Sequence, residues 1–413
     1  MYNNNRKYAY CAFPIIFVCQ CRRLRILKVS QYCAKNMKFR KFGKLDWQAS
    51  VLGFGCMRFP VVNNSDAVDE KESIRMIRYA IDNGVNYLDS AYGYHEGKSE
   101  VVLGKALKAG YRQKVKLTTK IPVWAVNTES DFDKVLDEQL KRLNVDYIDF
   151  YLFHSLNIDY WKKIQKFNLI EKAQSAIKEG KIRNIGFSSH DSYKNIKTII
   201  DSFDQWVLCQ FQYNYLDSNS ESVKYAASKG LAVVVMEPLL GGKLSNPPQI
   251  IKDIFDNSGY RKERSPSDWA LQWVWNQQEI SVVLSGMSAM QQVQENIKSA
   301  NISSPGLLNR KELKVLERAR AQYEKLIPIK CTGCNYCKPC PQKINIPWVF
   351  ELYNKGFIHQ HFESYSRAYS MLGEAKADAC IQCAKCEKKC PQGLPISKFM
   401  SKVSGVFKTC AVK

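Results

Sequence analysis

The sequence predicts a parallel (β/α)8 barrel followed by a small, cysteine-rich helical domain. Two observations predict the barrel. Strand-like apolar runs alternate with amphipathic helices eight times, and three successive runs end on an ionisable residue, namely Asp89, Lys120 and His154. In a parallel barrel the carboxyl ends of the strands share one rim, where catalytic residues collect. A third observation, eight cysteines in two tight groups near the C-terminus, predicts the second domain.

Composition and charge argue against several classes of protein. Of the 413 residues, 45% are hydrophobic, which is enough for a large core. No apolar run approaches the roughly 18 residues that span a bilayer, so we predict no membrane partner. The formal net charge is +22, but the lysines are spread along helices beside glutamates. No cluster of arginines and aromatic residues marks a nucleic-acid groove, so we predict no nucleic-acid partner.

Fifteen cysteines are unusual for a chain of this length. Disulfide-rich scaffolds are typically short secreted chains. Because this chain is long and its cysteines follow Cys-x-x-Cys spacing, we expect metal ligation in a reducing cytoplasm.

Residues 1–36 do not resemble the rest of the chain. Their basic residues and the short apolar run Ala9–Cys19 are compatible with a signal peptide. However, Cys21-Arg22-Arg23 follows where a small-residue cleavage site would be needed. We therefore favour a non-native or disordered extension, with Met37 as the true start.

The predicted elements follow in order from Met37. A β-hairpin, Lys38–Phe42 and Trp47–Val51, turns at Gly43-Lys44 and would close the bottom of the barrel. Unbroken apolar runs such as Leu231–Met236 are typical of strands buried in a parallel sheet. The predicted barrel strands are Val51–Phe59, Val85–Ser90, Lys116–Ile121, Tyr147–Ser155, Ile182–Ser188, Val207–Tyr213, Leu231–Met236 and Ser281–Leu284. The predicted helices are Asp69–Asn83, Lys98–Ala109, Ser130–Leu143, Leu169–Gly180, Ser192–Ser202, Ser220–Lys229, Ser267–Gln277 and Ala289–Ser299.

The domain boundaries follow from these elements. We predict the barrel over residues 37–300, a linker with helix Arg310–Leu326 over 301–329, and the cysteine-rich domain over 330–413. The loop Leu239–Arg264, together with Val123–Asn127, is expected to set specificity. A doubly wound dinucleotide-binding sheet would need Gly-x-Gly-x-x-Gly after its first strand. The one candidate, Gly53-Phe-Gly-Cys-Met-Arg58, lacks the third glycine.

Several motifs of the barrel region resemble those of the aldo-keto reductase family. In order, they are Asp89-Ser-Ala-x-x-Tyr94, Thr119-Lys120, Phe153-His154-Ser155, Gly180-Lys-Ile-Arg-Asn-Ile-Gly-Phe-Ser188, Gln210, Glu237-Pro238-Leu239 and Glu295-Asn296. The resemblance implies an oxidoreductase that reduces a small carbonyl substrate with NADH or NADPH. It implies a catalytic tetrad of Asp89, Tyr94, Lys120 and His154.

The chemistry of the tetrad suits that reaction. Hydride delivery to a carbonyl builds negative charge on its oxygen, so a proton donor must stand there. A free tyrosine has a pKa of about 10, and the ammonium of Lys120, held by Asp89, is expected to lower it. His154 would orient the carbonyl. Tyr92 is a rival donor, and Asp89 could instead cap the next helix.

The resemblance also implies a nucleotide site on the same rim. The cofactor-binding candidates are Gly55, Met57, Arg58, Ser188, Gln210, Met236, Glu237, Pro238, Leu239, Gly286, Met287, Ser288, Gln292, Glu295 and Asn296. Three residues depart from the family pattern. Ser189 replaces a common asparagine, Met236 an aromatic residue, and Gln292 a basic residue that often pairs with the 2′-phosphate of NADP. The choice between NAD and NADP stays open.

The two cysteine groups resemble bacterial ferredoxin motifs. They are Cys331-x2-Cys334-x2-Cys337-x2-Cys340-Pro and Cys380-x2-Cys383-x2-Cys386-x3-Cys390-Pro. In that pattern the fourth cysteine serves the other cluster. The resemblance therefore implies two [4Fe-4S] clusters, one on Cys331, Cys334, Cys337 and Cys390, the other on Cys380, Cys383, Cys386 and Cys340. Zinc is the rival metal.

The whole chain thus resembles a bacterial aldo-keto reductase subgroup with a C-terminal ferredoxin-type domain. Hydride carries two electrons and a [4Fe-4S] cluster passes one, so the clusters are either structural or serve a redox partner protein or an unrecognised flavin.

Two functions remain: a carbonyl reductase, or an electron-transfer protein with the barrel as scaffold. The intact tetrad favours the reductase, whereas Met236 and Gln292 keep the alternative open.

Overall fold

The structure is a computed structural model that describes residues 37–62, 67–216, 219–260, 264–359 and 362–411. Residues 1–36, predicted to be an extension, lie outside these ranges. No helix in the described part of the chain combines the length and apolar character needed to cross a bilayer.

Eight parallel strands close into a barrel in sequence order, and the last strand pairs with the first. Nearly every strand residue is buried, as expected where helices cover the outside of a parallel sheet. The strands are β3 (Leu52–Gly55), β4 (Tyr87–Asp89), β5 (Lys116–Ile121), β6 (Ile148–Phe153), β7 (Ile182–Ser189), β8 (Leu208–Gln212), β9 (Ala232–Met236) and β10 (Ile280–Gly286). The predicted (β/α)8 fold is confirmed.

The helices pack outside the strands. They are α1 (Glu70–Asp82), α2 (Lys98–Ala106), α3 (Asp131–Leu143), α4 (Ile158–Lys166), α5 (Leu169–Lys178), α6 (Tyr193–Asp201), α7 (Ser220–Ser228), α8 (Gln249–Asp256), α9 (Pro266–Trp275) and α10 (Met290–Asn301). The sequence analysis missed α4 and α8. Each is short and buries two side chains, Trp161 and Ile164 in α4 and Ile251 and Phe255 in α8. Such short apolar patterns are hard to separate from loop.

The N-terminal hairpin closes the bottom of the barrel, as predicted. Its strands, β1 (Phe39–Lys41) and β2 (Gln48–Ser50), pair antiparallel. The Phe42 ring lies inside the barrel, 4.8 Å from that of Phe150. At Gly43, φ is +55° and a Cβ atom would lie 2.4 Å from the amide nitrogen of Ala232, so the turn requires glycine. A ligand can therefore approach only the opposite rim.

The C-terminal part is helical. Helix α11 (Arg310–Leu326) begins with a capping box between Asn309 and Glu312. Helices α12 (Ile346–His359), α13 (Glu363–Ser370) and α14 (Ile396–Ala411) follow. They enclose a separate small core, in which the rings of Tyr369 and Phe407 stack 4.2 Å apart. The domain therefore has its own apolar centre between the two cysteine groups.

This C-terminal domain covers the open rim of the barrel. Gln212, which ends β8, exchanges two side-chain hydrogen bonds with Gln392, of 3.0 and 2.6 Å. Lys243, in the loop after β9, donates to the carbonyl oxygen of Cys331 at 2.5 Å and lies 3.6 Å from Glu351. The C-terminal domain thus binds the end of β8 and the loop after β9, at the rim that is usually exposed to solvent in such a barrel.

A close contact between helices α2 and α3 provides a stability test. At Gly104 in α2, an added Cβ atom would lie 2.3 Å from the carbonyl oxygen of Leu143. We expect Gly104→Ala to lower the free energy of unfolding by about 1–3 kcal/mol, because the two helices must separate. Urea unfolding followed by circular dichroism measures the loss.

Gly405→Ala is the matched control, since it also lies within a helix and its added methyl group meets nothing within 4 Å. This control is expected to be neutral or to stabilise the chain by up to about 1 kcal/mol. Equal effects of the two changes would contradict the steric explanation.

Candidate active site

The predicted tetrad meets at the open rim. Asp89 ends β4, Lys120 lies near the end of β5, and His154 directly follows β6.

Tyr94 stands on the loop after β4, which curls tightly because His95 and Glu96 have φ of 50° and 57°. The His95 ring stacks on Phe59 and accepts a hydrogen bond from its amide at 3.1 Å, which fixes this loop.

A buried ion pair forms the base of the site. Lys120 is fully buried, and its Nζ donates to Asp89 Oδ1 at 2.6 Å and to the carbonyl oxygen of Ser90 at 2.7 Å. Burial raises the pKa of Asp89, and the positive charge of Lys120 opposes that rise. The ammonium is therefore held in one place on the floor of the rim.

Tyr94 lies above this lysine. The Lys120 Nζ atom is 5.1 Å from the centre of its ring. Burial raises the pKa of Tyr94 well above its usual value, and the negative charges of Asp89 and Glu237 add to the rise. This direction is opposite to the one expected from the Lys120 ammonium: burial and the neighbouring carboxylates dominate, and the charge of Arg58 opposes them. The phenol therefore keeps its proton.

The rival Tyr92 faces away from the tetrad. Its hydroxyl donates to Glu138 at 2.8 Å, and the Arg142 guanidinium lies 4.3 Å from its ring centre. Both partners belong to α3, outside the barrel. The geometry favours Tyr94 as the tyrosine of the site.

His154 is neutral and in contact with the other domain. Burial and the charge of Lys120 keep the pKa of His154 well below its usual value. Its Nε2 atom lies 3.1 Å from the hydroxyl of Tyr336, and its ring is edge-on to Tyr94 at 6.0 Å. Within the described residues its Nδ1 atom has no hydrogen-bond partner.

The sequence analysis missed Tyr336 and Trp124 as parts of this site. Tyr336 lies between Cys334 and Cys337, where the spacing of the cysteines gave no sign of a contact with the barrel. Trp124 packs 5.0 Å from the His154 ring and 6.1 Å from that of Tyr336. The only available signal was its position in Val123–Asn127, which was expected to set specificity.

A cavity of about 610 Å3 runs along the rim from the tetrad. Asp89, Tyr94 and His154 line its inner end, whereas Lys120 lies behind them. Fourteen of the fifteen cofactor-binding candidates also line it: Gly55, Met57, Arg58, Ser188, Gln210, Met236, Glu237, Pro238, Leu239, Gly286, Ser288, Gln292, Glu295 and Asn296. Met287 does not, because its side chain is buried in the core outside the strands.

The inner part of this cavity suits a carboxamide. Gln210 donates to the sulfur of Met236 at 3.6 Å, but its buried Oε1 atom has no partner among the described residues. Ser188 accepts a hydrogen bond from the amide of Ser155 at 2.9 Å. The amide group of a nicotinamide would satisfy the Gln210 oxygen.

The eight C-terminal cysteines line two cavities. The larger, of about 280 Å3, is lined by Cys337, Cys340, Cys380, Cys383 and Cys386. The smaller is lined by Cys331, Cys334, Cys337 and Cys390. Each cavity thus receives the fourth cysteine of the other sequence group. This is the crossed arrangement that the ferredoxin resemblance implies.

The arrangement of the described cysteines around cavities favours a cluster over a single ion. The ten cysteines whose side chains are described form no disulfide. Tetrahedral zinc needs its sulfurs about 3.8 Å apart, given zinc–sulfur bonds of about 2.3 Å. Within the described ranges no three His, Cys, Asp or Glu side chains converge to hold one metal ion. Cysteines around a larger cavity fit a multi-iron cluster instead.

Comparison with known proteins identifies both domains. Residues 51–305 match the Aldo/keto reductase family, and residues 330–394 match a 4Fe-4S dicluster domain. A probable aldo-keto reductase 1 of Glycine max is 28% identical over 295 residues, covering 62% of this chain and 82% of that protein. An NADH-specific methylglyoxal reductase of Escherichia coli (strain K12) is 27% identical over 338 residues, covering 68% of this chain and 100% of that protein.

Solved structures agree with this assignment. The holo form of aldo-keto reductase AKR11C1 from Bacillus halodurans has a TM-score of 0.57 and 28% identity. The match covers 68% of this chain and 96% of that one. The chain therefore belongs to the aldo/keto reductase family of oxidoreductases and carries a 4Fe-4S dicluster domain at its C-terminal end.

Proposed function

We propose that this protein reduces a small carbonyl compound with a nicotinamide cofactor, and that its C-terminal domain holds two [4Fe-4S] clusters in a reducing cytoplasm. The observation that carries the reductase proposal is the buried Lys120–Asp89 pair beside a protonated Tyr94, at the inner end of the rim cavity. These groups stand where a proton donor and its stabilising charge are needed.

Tyr94, Lys120 and His154 have separate roles in the proposed reaction. The bound nicotinamide supplies hydride to the carbonyl carbon. Tyr94 gives its proton to the oxygen as negative charge develops there, and Lys120 stabilises the phenolate that remains. Neutral His154 donates a hydrogen bond to the same oxygen through Nε2, in place of its contact with Tyr336. A proton from solvent restores Tyr94, which leaves an alcohol and an oxidised cofactor.

The far end of the cavity supports a preference for NADH. Gln292 Oε1 accepts a hydrogen bond from the amide of Ser288 at 2.8 Å, and Gln291 donates to Glu295 at 2.8 Å. A carboxylate there would repel a 2′-phosphate, and among the described residues a glutamine, Gln292, stands where a guanidinium would pair with that phosphate. The relative from Escherichia coli is itself named as NADH-specific.

A second observation favours an additional electron-transfer function. Cys334 lines both the smaller cysteine cavity and the rim cavity. Cys334 would therefore hold a cluster at the edge of the cavity proposed for the nucleotide. Clusters held by these cysteines would supply one-electron transfer, and a flavin would be the group that splits the two electrons of a hydride between them. They would then pass the electrons to a redox partner protein.

Tyr94→Phe tests the reductase proposal. We expect kcat to fall at least 100-fold, since the proton donor is lost, while the Kd for NADH changes less than twofold. Steady-state rates with methylglyoxal and other aldehydes, and a fluorescence titration with NADH, measure the two quantities. Tyr92→Phe is the control and should turn over normally. Loss of activity in Tyr92→Phe alone would show that the wrong tyrosine is assigned.

Gln292→Arg tests the cofactor preference. The wild-type protein should have a higher kcat/KM with NADH than with NADPH. The kcat/KM of the variant with NADPH should rise tenfold or more, because a guanidinium pairs with the 2′-phosphate. Gln294→Arg, two residues later on the same helix, exposed and outside the cavity lining, is the control for added charge alone. A wild-type preference for NADPH would refute this part of the proposal.

Iron content tests the clusters. Anaerobically purified protein should be brown and hold about eight iron atoms per chain, four per cluster. Electron paramagnetic resonance after dithionite reduction should show reduced cubanes. Cys390→Ser should impair the cluster of the first cysteine group, and Cys209→Ser, a buried barrel cysteine, should leave iron unchanged. Stoichiometric zinc without iron would refute the proposal, and about four irons per chain would mean that one site alone is competent.

The same preparation tests the second function. If the clusters take electrons from the nicotinamide, anaerobic NADH should bleach their visible absorbance without any carbonyl present. Unchanged absorbance, together with cluster reduction by dithionite, would restrict the clusters to a structural role or to other partners.

A further inference from the structure

A second cavity, of about 450 Å3, lies between the barrel and the C-terminal domain. Ser155, His190 and Tyr336 line both this interdomain cavity and the rim cavity. It therefore opens beside the tetrad rather than at a remote surface. Its volume is in the range of ordinary small-molecule sites.

The wall contributed by the C-terminal domain is positively charged. Lys338, Lys388 and Lys389 all line the cavity. Across the described residues, none of these lysines forms an ion pair within 4.0 Å. Three cations on one wall, without a protein counter-charge, favour an anionic occupant.

The facing wall does not neutralise them. Asp191 is the one carboxylate among the lining residues. Its oxygens accept hydrogen bonds from the amides of Ile158 and Ser192, at 3.0 and 2.7 Å, and from the side chain of Asn195 at 2.9 Å. Burial lowers the pKa of His190 to about 4, so that ring adds no charge.

The geometry connects these lysines with the reacting group. The Tyr336 hydroxyl, 3.1 Å from His154 Nε2, occupies the place proposed above for the carbonyl oxygen. A substrate that brings its carbonyl to this point can extend its other end along the Trp124 and Tyr336 rings into the interdomain cavity. That end meets the lysine wall.

We propose that the substrate is a carbonyl compound with a carboxylate or phosphate group, and that Lys338, Lys388 and Lys389 bind this anionic group. The inference rests on the reductase function proposed above. It makes the C-terminal domain a part of the substrate site as well as a carrier of metal.

The lysines could instead offset the charge of a metal cluster, and their positions separate this role from substrate binding. Lys388 and Lys389 also line the larger cysteine cavity, where they could offset the charge of a cluster. Lys385 lines only the cysteine cavity, and Lys338 lines only the interdomain cavity. Both lysines are exposed. Lys338 therefore tests substrate binding, and Lys385 is the matched control for the charge of a cluster.

The experiment compares acidic and neutral substrates on iron-loaded protein. The probes are succinic semialdehyde and its methyl ester, and glyceraldehyde phosphate and glyceraldehyde. We expect the acid to have the higher kcat/KM, and Lys338→Gln to lower the acid-to-ester ratio about tenfold, mainly through KM. Lys385→Gln should leave the ratio unchanged. Added salt should lower the rate with the acid and not with the ester.

The outcomes separate this inference from the reductase proposal. Equal use of acid and ester, or equal effects of Lys338→Gln and Lys385→Gln, would overturn the inference and leave the reductase intact. Absence of reduction with every carbonyl would overturn the reductase proposal. In that case calorimetric titration with succinate and with inorganic phosphate still tests the cavity. Binding weakened by Lys338→Gln supports the site, and no binding, or binding unaffected by that change, refutes it.

Discussion

The buried ammonium of Lys120 is the constraint on which the rest of the site depends. A charged lysine inside a barrel is stable only when its partners are fixed in place, and removing one partner of such a pair costs about 3–5 kcal/mol. Here the partners are Asp89 and the carbonyl oxygen of Ser90. Asp89 ends β4 and Ser90 directly follows it, and β4 pairs directly with β5. The strand register that closes the barrel is thus also the register that places the charge.

A second layer of buried polar groups supports this floor. Glu100 is fully buried and accepts hydrogen bonds from Thr119 and from Gln139, both at 2.6 Å, while Arg142 pairs with it at 3.2 Å. Arg142 also donates to the carbonyl oxygen of Tyr92 at 3.0 Å. The network ties α2, α3 and β5 to the loop that carries the tyrosines. These hydrogen bonds hold the loop with Tyr92 outside the barrel and Tyr94 inside.

The sequence predicted what short-range patterns encode. Eight apolar runs, residues at strand ends and the spacing of the cysteines are all local. They were sufficient to predict the barrel, and they singled out residues that the fold brings together at the rim and around the two cysteine cavities. Contacts between distant segments were not predictable. Tyr336 reaches His154 across 182 positions, and nothing near the cysteines signals that contact. Met287, which directly follows β10, has its side chain in the core rather than along the cavity, and no local pattern indicated that orientation. The direction of the Tyr94 pKa depended on burial, which a pattern of residues does not measure.

The placement of Tyr336 between two cysteines has a consequence for maturation. Its backbone lies in the spacer Cys334-Asn-Tyr-Cys337, so anchoring both flanking sulfurs to a metal centre would fix the position of the ring. A newly made barrel can complete its own core before any metal arrives, but the wall facing His154 would be less firmly held. Assembly of the metal centre would then be the last step of building the catalytic pocket. The amount of competent enzyme in a cell would follow the supply of iron and sulfide as well as the rate of translation.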